Sequence, residues 1–326
     1  MLDDDTEWTS VEAQMDDAEQ SASDRGTERK EHSGSDVISE LIDVDDLLDV
    51  DPDQVKSSLR AMISFFTVIK MDAGAEDIEA FEKNTWTIPL IGVLVGLVAF
   101  ITGAASWYLG FSNLATTVLI LAAVLLFSKF LHFDGLVDFG DALVASGDRD
   151  KHIRALKDTN IGAGGIGVAL IVTLAAVALL SSFGIWLLLL VWPLEILVKN
   201  AMVAAAAWGE PGDGMASKQV GNADKKTLVK SSVFSLVAVI VFMFISLALV
   251  QMVTGIPYMN TTMYRWVALV ALTGIAASIA TGIGMASWAN KELGFVNGDI
   301  LGATNEVSRV MVLALIIIVE TLAGFF

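Results

Sequence analysis

The chain has 326 residues, 54% of them hydrophobic, and a mean hydropathy of +0.64, which excludes an ordinary soluble protein and points to the membrane class. With no cysteine and only three histidines, it has no means of making disulfides, zinc-thiolate sites or iron–sulfur clusters, and a histidine-rich metal site is not expected. The net charge of −18 is local: residues 1–53 hold 19 of the 38 acidic and three of the 20 basic residues, a net of −16, which leaves −2 for the rest.

Residues 1–36 are polar, poor in large apolar side chains and without a helical stripe. Such a segment buries too little surface to offset its chain entropy, so it is expected to be disordered. It also lacks the basic start and apolar core of a signal peptide. "VISELIDVDDLLDV" at 37–50 suits a short amphipathic helix. The chain therefore divides into an acidic, largely disordered extension, 1–55, and a helical membrane domain, 56–326. "QVKSSLRAMISFFTVIKM", at the start of that domain, combines an apolar face with flanking Lys and Arg and predicts an interfacial helix.

From Thr87 onward, apolar runs of spanning length repeat. Seven spans are predicted, at about 87–109, 113–131, 162–182, 184–206, 230–252, 266–287 and 307–326, which makes the chain an all-α polytopic membrane protein. The connections after spans one, three and five hold no Lys or Arg apart from Arg265 at a border. Those after spans two, four and six hold Arg149, Lys151, Arg154 and Lys157, then Lys218, Lys225 and Lys226, then Lys291. By the positive-inside rule that side is cytoplasmic, with the N-terminus inside and the C-terminus outside. The expected location is the cell membrane, multi-pass, with any site built on the long connections facing the cytoplasm.

"LHFDGLVDFGDAL" follows span two. On a helix its Asp134, Asp138 and Asp141 fall within about 60° of one another. Carboxylates that close repel unless a cation sits among them, and hard oxygen ligands favour Mg²⁺. The competing reading is a solvated acidic face. Gly135 and Gly140 are expected to let a ligand approach closely. His132 lies on the other side of the wheel and joins the aspartates only if the helix starts after it.

Further on, "KDTNIGAGGIG" places Gly162, Gly164 and Gly165 where backbone N–H groups at a helix N-terminus suit a phosphate, although glycines there also serve packing. Glu195 and Lys199 stand one turn apart in span four, as functional charges or as an internal salt bridge. In "NKELGFVNGDILGATNEVSR", Asp299 and Glu306 share a helical face with Asn305 beside them. A polytopic protein with a polar site of this kind suits phosphoryl transfer, where positioning and charge neutralisation supply most of the catalysis.

"LHFDGLVDFGDALVASGDRDKHIRALKDTNIGAGGIGVAL" resembles the cobalamin synthase family, the adenosylcobinamide-GDP ribazoletransferases. Their His-x-Asp-Gly-x-x-Asp-x-x-Asp signature, basic stretch, Lys-Asp pair and glycine-rich start of the next span match His132, Asp134, Gly135, Asp138, Asp141, Arg149, Lys157, Asp158, Gly162 and Gly165. "SFFTVIKM", "IPLIGVLVG" and "NGDILGATNE" resemble further family blocks in order, so the likeness runs over about residues 60–320 and leaves out the acidic tail.

The resemblance implies that α-ribazole, or its 5′-phosphate, attacks adenosylcobinamide-GDP with Mg²⁺, giving adenosylcobalamin or its 5′-phosphate and releasing GMP. Asp134, Asp138 and Asp141 would hold the metal, with Asp299 and Glu306 as a second ligand set or substrate contacts. His132 would act as base or phosphate contact, and Lys157 would neutralise the leaving diphosphate. Arg149, Asp158, Gly162, Gly165, Lys199 and Asn305 would line the substrate. The expected partners are those substrates and the bilayer, with no nucleic acid, and there is room for a homo-oligomer or a complex with other cobalamin-assembly enzymes. The chain departs from the family at Asn160 and Lys199, where arginine is usual, and the point charge of lysine is a weaker substitute for a forked guanidinium.

Two other functions compete. A CDP-alcohol phosphatidyltransferase-like enzyme also uses Asp-Gly-rich motifs, but needs an Ala-Arg pair where this chain has "GLVDFGDAL". A transporter using intramembrane acids would place them at the midplane between inverted repeats, and no such repeat is evident.

Overall fold

The computed structural model describes residues 50–255 and 260–324. The expected disorder of 1–36 and the helix at 37–50 lie outside the described residues, except for Val50. Among the described residues there is no strand, only an isolated parallel bridge between Pro211 and Val296. The fold is an all-α polytopic membrane fold.

The first helix, α1 (Pro52–Phe66), opens on Asp51, whose carboxylate accepts from the N–H groups of Asp53 and Gln54, and Pro52 suits the first helical position. A short α2 (Ala75–Lys83) folds against it, tied by Arg60 to Asp77 at 3.2 Å. A 3₁₀ turn, Thr85–Thr87, leads into α3 (Ile88–Tyr108). Then come α4 (Asn113–Phe127), α5 (Leu131–Val144), α6 (Arg149–Leu156) and α7 (Ala163–Ser181). The chain continues through α8 (Leu187–Trp208), a short α9 (Ser217–Asn222), α10 (Lys225–Thr254), α11 (Thr261–Glu292) and α12 (Gly298–Leu322).

Six of these elements are long and apolar enough to cross a membrane, and α4 with α5 adds a seventh if the bent pair counts as one. The core is α8, which is buried from Leu187 to Ala206 and packed by α3, α10, α11 and α12. Close approach explains how so apolar a bundle associates where lipid offers no hydrophobic gain. A Cβ on Gly92 would lie 2.4 Å from the Glu195 carbonyl oxygen, so α3 meets α8 backbone to backbone. At the periphery, α7 turns Ile166, Leu170, Ile171 and Leu174 outward, as a lipid-facing helix should.

Two expected spans are corrected. The second stops at Phe127 and the chain turns by 96° before α5, through Lys129 and Phe130 at left-handed φ values of 55° and 57°. The seventh starts at Gly298 rather than 307, because Asn297 caps the N–H of Ile300 and begins the helix there.

Candidate active site

The broken span makes the site. After the bend, α5 lies across the starts of α7 and α12, and three glycines set that contact. A Cβ on Gly135 would stand 2.6 Å from the Asp299 carbonyl oxygen, one on Gly140 would stand 2.9 Å from Gly165 Cα, and one on Gly302 would stand 3.2 Å from His132 Cα. Gly135 and Gly140 therefore serve helix packing here, rather than the ligand approach expected from the sequence.

The outward face of α5 carries Asp134, exposed, with Asp138 and Asp141 part-buried. Asp299, in the first turn of α12, is part-buried and accepts from Asn297 Nδ2 at 2.8 Å. The charges of Asp299, Asp134 and Asp141 all bear on Asp138, so four carboxylates converge at one end of the bundle. Lys157, at the end of α6, brings its ammonium within the field of Asp299 and 5.7 Å from the Phe295 ring centre. Among the described residues, no three acidic or histidine side chains lie close enough together, as placed, to hold a metal ion.

The other expected residues are divided between the mouth, the loops and the interior. Asp141 is already engaged, accepting from Gly162 N at 2.7 Å and Gly165 N at 2.8 Å. Those two N–H groups, expected to face a phosphate, face this carboxylate instead. Asp158 closes its own loop by accepting from Asn160 N and Nδ2, each at 2.9 Å. These bonds hold its carboxyl below the usual range. Arg149 crosses to α11 and donates to the Lys291 carbonyl oxygen at 3.1 Å.

His132 falls inside α5, not before it. Its ring is 3% exposed and stacks on Phe66 of α1 at 5.5 Å, and its Nε2 has no partner. That is the far side of the helix from Asp134, where the wheel puts it.

Lys199, Asn305 and Glu306 belong to a buried network beneath the mouth. Lys199 Nζ donates to Asn305 Oδ1, and Asn305 Nδ2 donates to Glu306 Oε1 at 2.8 Å. Arg309 completes it with a two-pronged pair to Glu195, at 2.7 and 3.4 Å, and lies 3.6 Å from Glu306. Glu306 thus lies two turns deeper than Asp299, away from the aspartates. Arg309 was not among the expected residues. Its signal was available, since a basic residue inside an apolar span is a functional candidate.

The cobalamin-5-phosphate synthase family matches residues 58–317, most of the chain and every element of this site. The chain belongs to this family. It is 28% identical over 261 residues to an adenosylcobinamide-GDP ribazoletransferase of Methanocella arvoryzae, which covers 79% of this chain and 94% of the relative. It is also 28% identical over 273 residues to one of Halorubrum lacusprofundi, covering 79% and 96%. A protein of the same name from Saccharolobus islandicus is 38% identical over 123 residues, 37% of this chain and 47% of the relative. No solved structure matches. Membership in the cobalamin-5-phosphate synthase family makes the chain a transferase of cobalamin synthesis.

Proposed function

We propose that this protein joins adenosylcobinamide-GDP to α-ribazole or its 5′-phosphate, with Mg²⁺, at the end of the membrane bundle that faces the cytoplasm. A hydroxyl of the nucleoside attacks the cobinamide-bound phosphoryl group, the phosphoanhydride bond breaks and GMP leaves with the bridging oxygen. The names of the relatives support the substrates, and the basic connections gathered at the site's end of the bundle support the orientation.

The observation that carries the reading is the convergence of Asp134, Asp138 and Asp299 at the mouth beside Lys157. The donor set fits Mg²⁺, since carboxylates open to solution take it through one or two oxygens while substrate phosphates complete its shell. One or two of Asp134, Asp138 and Asp299 would hold it, with the substrate's phosphates supplying further oxygens. Asp141 already spends one lone pair of each oxygen on an N–H bond, and Glu306 lies too deep. When bound, Mg²⁺ supplies neutralisation of the charge on the diphosphate. Lys157 would give its ammonium to the leaving phosphate, and its place over the Phe295 ring supports that role. His132 ties α1 to α5 through Phe66 and keeps the aspartate face turned outward.

Membranes containing the protein should release GMP from adenosylcobinamide-GDP and α-ribazole only with Mg²⁺ present. Asp138→Asn should lower that rate at least about a hundredfold, because neutralisation of a phosphoryl group provides several kcal/mol. Normal turnover in this variant would overturn the assignment of the carboxylates.

A further inference from the structure

Asp141 stands apart from the other aspartates in what it touches. Helix α7 is preceded by Gly162, which has no side chain to cap it, so its first N–H groups need an acceptor from elsewhere. The Asp141 carboxylate supplies both oxygens, Oδ2 to Gly162 N at 2.7 Å and Oδ1 to Gly165 N at 2.8 Å. Its charge also meets the positive end of a 19-residue helix. The glycines are shaped to it. A Cβ on Gly162 would fall 2.3 Å from Asp141 Oδ1, and one on Gly165 would fall 2.7 Å from Oδ2. The carboxylates of Asp134 and Asp138 accept no hydrogen bond from a described residue.

We infer that Asp141 is a positioning residue which clamps α5 to the start of α7, so that the cation is met by one or two of the other carboxylates, Asp134, Asp138 and Asp299. Asp138 sits one turn before the clamp and Asp134 two, so the two N–H bonds set where both carboxylates stand over Asp299. The contacts of Gly135 and Gly140 let α5 lie close; the clamp fixes its register.

The test uses the full chain in detergent, with Mn²⁺ binding followed by electron paramagnetic resonance and GMP release followed separately. The amide oxygen of asparagine still accepts one of the two N–H bonds, with its NH2 against the other donor, and an amide is a poor substitute for a carboxylate on a metal. Asp138→Asn, which removes a charged ligand, should therefore lower Mn²⁺ affinity at least about tenfold more than Asp141→Asn, which removes only support. Gly162→Ala, whose Cβ would have Asp141 atoms as its three nearest neighbours, pushes the carboxylate off its seat, so it should lower kcat as Asp141→Ala does with KM little changed. The double variant should be no worse than either single one, since both remove one interaction.

Loss of Mn²⁺ by Asp141→Asn as large as by Asp138→Asn overturns the inference, as do additive effects in the double variant or a wild type that takes up no Mn²⁺. Should Asp141→Ala fail to fold, Asp141→Asn and Gly162→Ala carry the comparison, with thermal melting of each as the control. The activity arm rests on the proposed transferase reading. Absence of GMP release from the wild type would sink that reading alone, because the Mn²⁺ arm still decides the role of Asp141.

Discussion

Arg309 and Lys199 are the largest fully buried side chains among the described residues, and both are basic. Their charges are balanced by Glu195 and Glu306 within the same network, so nothing in it is left uncompensated except the Arg309 Nε, which has no partner. Breaking one member of a buried pair leaves a bare charge, at a cost of about 3–5 kcal/mol, whereas removing both together costs far less. Glu195→Gln and Arg309→Met should each destabilise the protein by that order. The double variant should recover most of the loss, read by chemical unfolding in detergent. An additive double variant would show that the two side chains do not act as a pair.

The sequence shows Glu195 and Lys199 one turn apart and invites a salt bridge between them. The fold pairs Glu195 with Arg309, 114 residues on, and gives Lys199 to Asn305. What decides between these partners is the rotation of α8 against α12, set by packing along both helices, and no local pattern carries that information. Asp141 is legible as an acid on the right face and illegible as a clamp for the same reason: its partners are 21 and 24 residues away.

Among the elements, α5 was the best foreseen and the least. The spacing of its aspartates predicts the helix and its outward face, and both are present. The 96° turn before it leaves no trace in "LLFSKFLHF", which holds neither proline nor glycine, although Lys129 and Phe130 adopt a backbone conformation that side chains usually avoid. Lys129 reaches across to donate to the Ser64 carbonyl oxygen on α1, so tertiary contact enforces what the local sequence does not announce.

The pair α1 and α2 depends on Asp77 in the same way. The Gly74 N–H first, and Arg60 and Ser57 with it, hold this carboxyl below its ordinary 3.8. A lowered carboxyl stabilises the folded form above the ordinary value and loses that contribution as pH falls through the lowered one. Hydrogen exchange in α1 and α2 should therefore quicken as pH drops from about 5 to about 2, after correction for the intrinsic rate. Asp77→Asn should exchange faster throughout and show no such step. A step retained in that variant would assign the effect to another group.

At the scale of the molecule, hydropathy alone predicts the number of spans within one, because a bilayer admits only segments that satisfy their own backbone. Charge counts along the connections then predict which end faces the cytoplasm. The chain has no cysteine, so any single cysteine introduced into it is unique. In intact cells an impermeant maleimide should label Ser112→Cys, between α3 and α4, and should reach Lys151→Cys, on α6, only after lysis. The reverse pattern would turn the bundle over and place the aspartates outside. Orientation was thus legible as an expectation. The burial of His132 under Phe66 was not, because it depends on how the first helix docks.

The 15 residues of α4 make a rod of roughly 22 Å, well short of the roughly 30 Å of hydrocarbon that a straight span must cross. If α4 crosses, lipid beside it must thin or the headgroup layer must dip, since mismatch is met by deforming whichever side is softer. The aspartate-bearing helix that follows would then rest on the floor of a shallow depression in the membrane surface. Water and a bulky phosphorylated substrate would descend into that depression to be joined, while the oily walls of α3 and α7 rise on either side.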